Sequence, residues 1–286
     1  MPILRRVWKI TKTSILAVIS IIIFLVVSVF ATLLIPGTPS NSREWLPEQA
    51  VQASAEFNGT FVHLKNIRNT NWRTPTDYEV RYYDKTYDLS KVRHVYFIYT
   101  PFSNIKPLAH TFVSYEFENG EHLSVSVEVR KEKNESYSAL NGLLKKYEIF
   151  YVISDERDSL GYRAIAWKNP LFIYPVKTTP ERARKALVSM LTRGNDLREK
   201  PEFYHTFFNN CTTNLVRHVN EVVPSRIPFI SLGVIFPGYA DVLSYRLGLI
   251  DTELSLEEAQ KLFYANDRII RYINDSEFSA KIRSNK

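Results

Sequence analysis

The chain has 286 residues, of which 45% are hydrophobic and 23% are charged. This composition supports a packed core and excludes wholesale disorder. The net charge of +7 does not indicate a nucleic-acid partner. Four of the 37 basic residues lie in the first twelve positions, and the rest of the chain has 33 basic and 30 acidic residues. It has no basic stripe interleaved with aromatic residues.

The N-terminus predicts a membrane anchor. Residues 1–12 carry four basic residues, and residues 13–42 carry no charge. The run from Ser14 to Ile35 is long enough to span about 30 Å of hydrocarbon, and it lacks a good cleavage site for a secretory signal peptide. We therefore expect an uncleaved single-pass signal anchor over 13–36, with residues 1–12 in the cytoplasm and the body on the other side of the membrane.

Composition divides the rest of the chain into three parts. Residues 37–52 are rich in Pro and Ser and are interpreted as a linker. Residues 53–275 form the predicted extracytoplasmic body. Residues 276–286 are interpreted as a polar tail.

The first half of the body predicts β-strands. Residues 69–92 are polar and aromatic without a clear period, which indicates extended loop with short strands. Stretches rich in β-branched and aromatic residues then predict strands. These are 93–100, 110–117, 122–130, 147–154 and 170–176.

The segment 118–121 (ENGE) predicts a hairpin between two of these strands. If residues 118–120 form a three-residue loop with Gly120 in the left-handed region, His110 faces Glu128, and Ser126 lies on the same face of the neighbouring strand. A two-residue Asn-Gly turn would put Val129 opposite His110 instead. The residues alone leave both registers open.

Helices are predicted in the second half. Thr179 and Pro180 are typical of a helix start, and that helix is expected to end before Gly194. Residues 255–258 (SLEE) form a capping box, which opens a predicted helix extending to 273. Because strands and helices do not alternate, the expected fold class is α+β, an antiparallel sheet with packed helices.

Cys211 is the only cysteine in the chain. An extracytoplasmic body with one cysteine cannot form an internal disulfide, which leaves a buried small side chain or a reactive thiol. Apolar residues after it recur at helical spacing, and Asn209 or Asn210 is a suitable N-cap. A thiol in the first turn of a helix is favoured as the thiolate, the nucleophilic form.

A thiol nucleophile needs a base, and six histidines are available. His218 shares the helical face of Cys211 but lies two turns further on, about 10 Å along the axis. His110 begins a strand, and Glu128 on the neighbouring strand could orient its imidazole. Glu148 is a further candidate, with a solvated loop charge as the alternative interpretation. No metal-ligand spacing and no phosphate-binding glycine loop is present, so we expect neither a metal nor a cofactor.

Several stretches together resemble one bacterial family. They are RYYDKTYDLSKV (81–92), AHTFVSYEFENGEHLSVSVEVRKEKNESYS (109–138), YEIFYVISDERD (147–158), KPEFYHTFFNNCTTNLVRHVN (200–220) and PGYADVLSYRLGLID (237–251). They resemble the Lnb-type N-terminal periplasmic domain. That family is similar to papain-like thiol enzymes of the NlpC superfamily in a permuted form, where the strand histidine precedes the helix cysteine. His110 and Cys211 have that order.

The resemblance implies a function. In the lipoprotein N-acyltransferases of this family, the domain transfers an acyl chain from a phospholipid to a cysteine, and then to the amine of a lipoprotein. If the family's catalytic roles apply to this chain, the resemblance implies that Cys211 is the nucleophile, His110 the base and Glu128 the orienting group. The supporting candidates are Asn209, Asn210, Ser126 and Glu148. The expected location is the bacterial inner membrane with a periplasmic catalytic domain. The expected partners are membrane lipid and a lipoprotein or a peptidoglycan peptide.

Two alternatives use the same residues differently. A cysteine peptidase or amidase acting on cell-wall or envelope peptides would differ from an acyltransferase in its cleft. A non-enzymatic envelope module would hold Cys211 and His110 far apart, or bury them without a pocket.

Overall fold

The computed structural model describes residues 15–28, 37–102 and 105–284. Residues 15–28 form helix α1. The predicted cytoplasmic segment 1–12 and both ends of the predicted anchor lie outside the described residues. Within the described ranges, no helix is both long and apolar enough to cross a membrane.

The body, from Pro39 onward, is built on a mixed but mostly antiparallel sheet. Within the described residues this sheet has eight strands in the order β1-β2-β9-β8-β7-β6-β10, with β5 also paired to β2. The β2–β9 contact is parallel, and a separate two-stranded sheet joins β3 to β4. The strands are β1 (Ser54–Asn58), β2 (Phe61–Arg68), β3 (Asn71–Trp72), β4 (Tyr78–Glu79), β5 (Tyr82–Asp88), β6 (Val92–Pro101), β7 (Ala109–Phe117), β8 (His122–Arg130), β9 (Glu148–Asp155) and β10 (Phe172–Pro175).

Helices cover both faces of this sheet, which confirms the predicted α+β class. They are α2 (Pro47–Ala50), α3 (Ala139–Leu143), α4 (Glu156–Gly161), α5 (Pro180–Glu199), α6 (Cys211–Val222), α7 (Leu232–Ile235), α8 (Ala240–Arg246), α9 (Leu256–Phe263), α10 (Asn266–Tyr272) and α11 (Phe278–Lys281). A π-helical turn, Tyr162–Ala166, continues α4.

Strand β7 is buried on both faces, and its side chains alternate between two apolar clusters. Val113 and Tyr115 pack with residues of α5 and α6, such as Met190. Phe112 packs on the opposite face with α4 and α10, including Ile269. The middle of the sheet is therefore enclosed, and an active site can be built only where its strands end.

Two helix predictions need correction. Helix α5 continues through Gly194 to Glu199, because Gly194 lies against Tyr151 of β9 and allows a close approach of helix and sheet. The single predicted helix over 256–273 is interrupted after Phe263. Tyr264 is extended and bridges to Phe172, so the chain pairs with β10 before α10 begins.

The segment interpreted as a linker packs against the body over residues 39–52, so that interpretation is wrong for these residues. Trp45 is 6% exposed, and the guanidinium of Arg130 lies 4.3 Å from its ring centroid. Asn41 donates hydrogen bonds to the carbonyl oxygens of Leu197 and Arg198. Cation–π stacking and burial hold this polar segment in place.

The predicted polar tail is likewise packed over residues 276–284. Phe278 and Ile282 are buried in the cluster beside α10. Arg283 forms an ion pair with the buried carboxylate of Glu156. Two apolar side chains and one arginine therefore attach a segment that is polar on average.

Replacing Trp45 tests whether residues 39–52 belong to the body. Trp45→Ala should lower the free energy of unfolding by about 3 kcal/mol, because a large buried aromatic side chain is removed. Urea unfolding of the full chain in detergent, followed by circular dichroism, measures the change. Val51→Ala is the matched control, since Val51 is 41% exposed. A loss below about 0.5 kcal/mol for Trp45→Ala, the usual size of a surface effect, would restore the linker interpretation.

Candidate active site

Cys211 is the first residue of α6, and two asparagines fix that helix start. The side chain of Asn210 accepts a hydrogen bond from the Thr213 amide at 2.9 Å, and Thr213 Oγ1 accepts one from the Asn210 amide at 2.8 Å. Asn209 donates to the Phe203 carbonyl at 2.9 Å and accepts from Asn214 at 2.9 Å. The capping box therefore forms with Asn210 as the N-cap, and it holds the buried thiol at the positive end of the helix dipole.

The β7–β8 turn places His110 opposite Glu128. The Phe117 amide donates to the Glu121 carbonyl at 2.9 Å, and Gly120 has φ +79°, which glycine adopts without strain. This is the three-residue loop, and the register it sets pairs Phe112 with Ser126. Two residues earlier on β7, His110 reaches the carboxylate of Glu128.

The Nε2 edge of His110 is held by two groups of β8. Nε2 lies 2.9 Å from Glu128 Oε1 and 2.7 Å from Ser126 Oγ. Ser126 Oγ in turn donates to Glu128 Oε1 at 2.9 Å, so its oxygen can accept from a protonated Nε2. Nδ1 is then the nitrogen available to the thiol.

Arg163 completes a row of alternating charges behind His110. It lies in the π-helical turn after α4, and its Nη2 donates to both oxygens of Glu128 at 2.8 and 3.0 Å. Burial works against ionisation of Glu128, but Arg163 and His110 outweigh it and hold the pKa of that carboxyl well below its usual range. Glu128 is therefore charged throughout the physiological pH range.

The thiol of Cys211 and the imidazole of His110 perturb each other directly. Burial opposes the thiolate, yet the charge and hydrogen bond of His110 and the amide of Thr111 lower the pKa of Cys211 to about 7. Burial and Arg163 oppose the imidazolium, and Glu128 with Cys211 outweighs them to raise the pKa of His110. Near neutral pH the arrangement favours a thiolate–imidazolium pair, the reactive form of such a site.

Three groups around the thiol lacked a sequence signal. Tyr204 is buried beside Cys211, and burial together with the thiolate charge raises its pKa. The same causes, in the same order, raise the pKa of Tyr137. Arg163 has no motif that marks it, because only tertiary packing brings its π-helical turn to β8. Tyr204 is buried and Tyr137 is 39% exposed, and the folded structure, not a local motif, identifies both as neighbours of Cys211.

The other predicted residues divide into two groups. Ser126, Asn209 and Asn210 lie in the site or hold its helix. Glu148 does not contact the thiol or the imidazole: it begins β9, is buried, accepts from the Ser40 amide at 3.0 Å and pairs with Arg43. The interpretation of Glu148 as a solvated loop charge is therefore wrong, and its supporting role stays a prediction.

His218 lies in a separate hydrogen-bonded cluster. Its Nε2 is 2.6 Å from the Tyr151 hydroxyl, and its Nδ1 is 2.7 Å from Ser189 Oγ. Burial lowers its pKa to about 4, so it is neutral. Among the described residues, no group of three or more His, Cys, Asp or Glu side chains is placed to hold a metal ion.

The fold and the site together define an α+β domain in which a helix-terminal cysteine meets a histidine held by a carboxylate. Residues 78–238 match the family described as the Lnb N-terminal periplasmic domain. The match covers more than half of the chain, so the chain belongs to this family, as its motifs predicted. The family's description places the domain in the periplasm. No curated protein and no solved structure matches the chain.

The pH dependence of thiol alkylation tests the role of Glu128. In the unaltered chain, the rate of reaction with iodoacetamide should rise through pH 7, the pKa of the thiol. Glu128→Gln removes the charge that favours the imidazolium and leaves Arg163 opposing it. The thiol then loses its cationic neighbour, and the midpoint should move to higher pH. Glu132→Gln, at a carboxylate paired with Arg43 outside the site, is the control, and equal midpoints for all three proteins would refute this role.

Proposed function

We propose that this protein is a membrane-anchored, extracytoplasmic, cysteine-dependent acyltransferase that acts on phospholipid and lipoprotein through a thioester acyl-enzyme. The observation that supports it most is the 2.9 Å bond between His110 and Glu128, together with the mutual effect of the imidazole and the Cys211 thiol on their pKa values. A helix-terminal thiol, a base and an orienting group are the three parts that nucleophilic acyl transfer requires.

In the first half-reaction, the Cys211 thiolate attacks the carbonyl carbon of a phospholipid acyl ester. The carbonyl oxygen becomes an oxyanion while the Sγ–C bond forms. The amides of the first helical residues, Cys211 and Thr212, have no intrahelical acceptor, and the cap takes the Thr213 amide instead. They are suited to donate to this oxyanion. The C–O ester bond then breaks, and His110 gives its proton to the departing lysophospholipid oxygen.

In the second half-reaction, an amine attacks the thioester. The family resemblance suggests the α-amine of a lipoprotein's N-terminal cysteine as the acceptor. His110, now neutral, takes the proton from the attacking nitrogen while the C–N bond forms. The C–S bond breaks and the thiolate returns beside the imidazolium, so the cycle needs no further reagent.

The fold and membrane attachment are part of the proposal. A histidine on a strand that precedes a cysteine at a helix start agrees with the permuted papain-like order that the sequence suggested. A signal anchor over 13–36 would keep the body at the membrane surface. Both expectations rest on the sequence and on the His110–Cys211 order.

The two alternatives receive less support. The pairing of His110 with Cys211 argues against a non-enzymatic module that holds these groups far apart. Both side chains are 5% exposed, so the other form of that alternative, burial without a pocket, is decided by the labelling experiment below. A peptidase or amidase would use the same site, but the exposed side chains near Cys211 include Phe208, at 74% exposure, and Leu140, at 62%. Apolar surroundings favour an acyl-lipid donor over a polar peptide.

Covalent labelling tests the acyl-enzyme. The full chain in detergent, incubated with phospholipid that carries a radiolabelled acyl chain, should acquire label that hydroxylamine removes. Cys211→Ala should acquire none, because the attacking atom is absent. His110→Gln should acquire label about 10²- to 10⁴-fold more slowly, the usual cost of losing a positioned base.

His63→Gln is the matched control, since His63 lies on β2 with its Nδ1 3.0 Å from Thr86 Oγ1 at an exposed position. It should label at the rate of the unaltered chain. Equal labelling of the Cys211→Ala protein, or no label on the unaltered chain, would disprove the proposal. Release of peptide products from cell-wall material by the unlabelled protein would favour the amidase instead.

A further inference from the structure

Large apolar side chains are exposed on three segments near the start of α6: helix α3, the loop before α6, and the stretch that leads into α7. Ile230 is 90% exposed and Phe208 is 74% exposed. Leu140, Phe229 and Leu232 complete a set that we call the apolar rim, with exposures of 62%, 47% and 62%. Exposed apolar groups clustered in this way mark a membrane or protein contact more often than free surface.

The three segments adjoin one another. Thr206 Oγ1 donates to the Ala139 carbonyl at 2.7 Å, which joins the loop before α6 to α3. The ring of Phe207 lies 6.1 Å from that of Phe236, which joins the same loop to the end of α7. The three segments that carry the rim are therefore joined through the loop that leads into Cys211.

Basic residues predominate around the rim, where the acidic residues are Glu202, which lines the same hollow as Phe208 and pairs with Arg193, and Glu221. The segments 136–147, 203–220 and 222–240 contain no Asp or Glu. They contain four basic residues, Lys145, Lys146, Arg217 and Arg226. Apolar side chains flanked by basic residues are typical of surfaces that bind anionic lipid, because burial of the apolar groups and attraction of the cations add together.

The chain also enters the body at this rim. Pro39 lines a hollow of about 470 Å³ together with Phe208, Lys145 and His205. In the sequence, Pro39 follows the end of the apolar run at Ile35 by four residues. The rim, the chain entry and the thiol-bearing helix start thus lie on one side of the body.

We propose that the apolar rim docks on a bilayer surface that contains anionic phospholipid, with Phe208 and Ile230 inserted among the acyl chains. Docking would bring ester carbonyls of the outer lipids to the N-terminus of α6. This inference deepens the proposed function, on which its catalytic meaning rests. The docking itself does not require a reactive thiol and can be measured without one.

Single-cysteine labelling tests the docking directly. In a Cys211→Ser background, Phe208→Cys and Ile230→Cys each provide one thiol at an exposed position, so neither change disturbs the core. The full chain, labelled with an environment-sensitive fluorophore, is reconstituted into vesicles of phosphatidylethanolamine and phosphatidylglycerol. Emission at both positions should shift to shorter wavelength, lose intensity to lipids brominated in the acyl chain, and resist quenching by aqueous iodide.

Phe61→Cys in the same background is the matched control. Phe61 is 50% exposed and pairs with Asp88, close to Lys91, which forms an ion pair with Glu118 in the β7–β8 turn. This turn is at the end of β7 remote from His110, so a label there should be quenched by iodide and not by brominated lipid.

Two results would overturn the docking proposal. One is iodide quenching at positions 208 and 230 equal to that at 61. The other is protection from iodide without quenching by brominated lipid, which would assign the rim to a protein contact. Since Cys211 is replaced in every protein of this test, a negative result leaves the acyl-enzyme measurement unaffected, and failure to form an acyl-enzyme leaves the docking result standing.

Discussion

The register of the β7–β8 hairpin is the constraint on which the candidate site depends. One residue in the left-handed conformation, Gly120, closes a three-residue loop, and every cross-strand pair up to the far end of the hairpin follows from it. His110 therefore meets Glu128, and Ser126 lies within reach of the same imidazole nitrogen. A two-residue turn would shift the pairing by one residue and turn the partner side chains to the other face.

The site itself is a row of alternating charges in a mostly buried setting. Arg163 and His110 flank the Glu128 carboxylate, and the Cys211 thiolate lies beyond His110. Burial alone would favour the neutral forms of Glu128, His110 and Cys211, whereas the Arg163 guanidinium stays charged. Each charge is retained because the next one compensates it, so removing one member leaves its neighbour uncompensated. Reactivity of the thiol thus depends on Glu128 and Arg163, although neither has to touch a substrate.

Local sequence signals predicted much of this arrangement. β-Branched and aromatic runs predicted β6 to β10, and the Asn before Cys211 predicted the start of α6, because these signals act within a few residues. They could not choose between the two hairpin registers, because Gly120 is left-handed in both and the turns differ at Asn119, which needs a positive φ only in the two-residue turn and has none here. They also could not find Arg163, since its role arises from packing of the turn after α4 on β8.

Average polarity gave a wrong interpretation for two segments, the predicted linker and the predicted polar tail. Residues 39–52 and 276–284 are polar overall, but Trp45, Phe278 and Ile282 are buried, and Arg130 and Arg283 make specific contacts with ring or carboxylate partners. A few strong contacts outweigh the average composition of a short segment. Such contacts connect distant parts of the chain and are visible only in the folded structure.

The central claim is that His110, held by Glu128, keeps Cys211 as a thiolate near neutral pH. Because the chain has one cysteine, the ultraviolet absorbance of the thiolate, followed against pH and corrected with the Cys211→Ser protein, reports this group alone. We predict a midpoint near 7 for the unaltered chain and a midpoint above the usual thiol value of about 8.5 for His110→Gln, because burial then acts without a compensating cation. Identical midpoints in the two proteins would contradict the account.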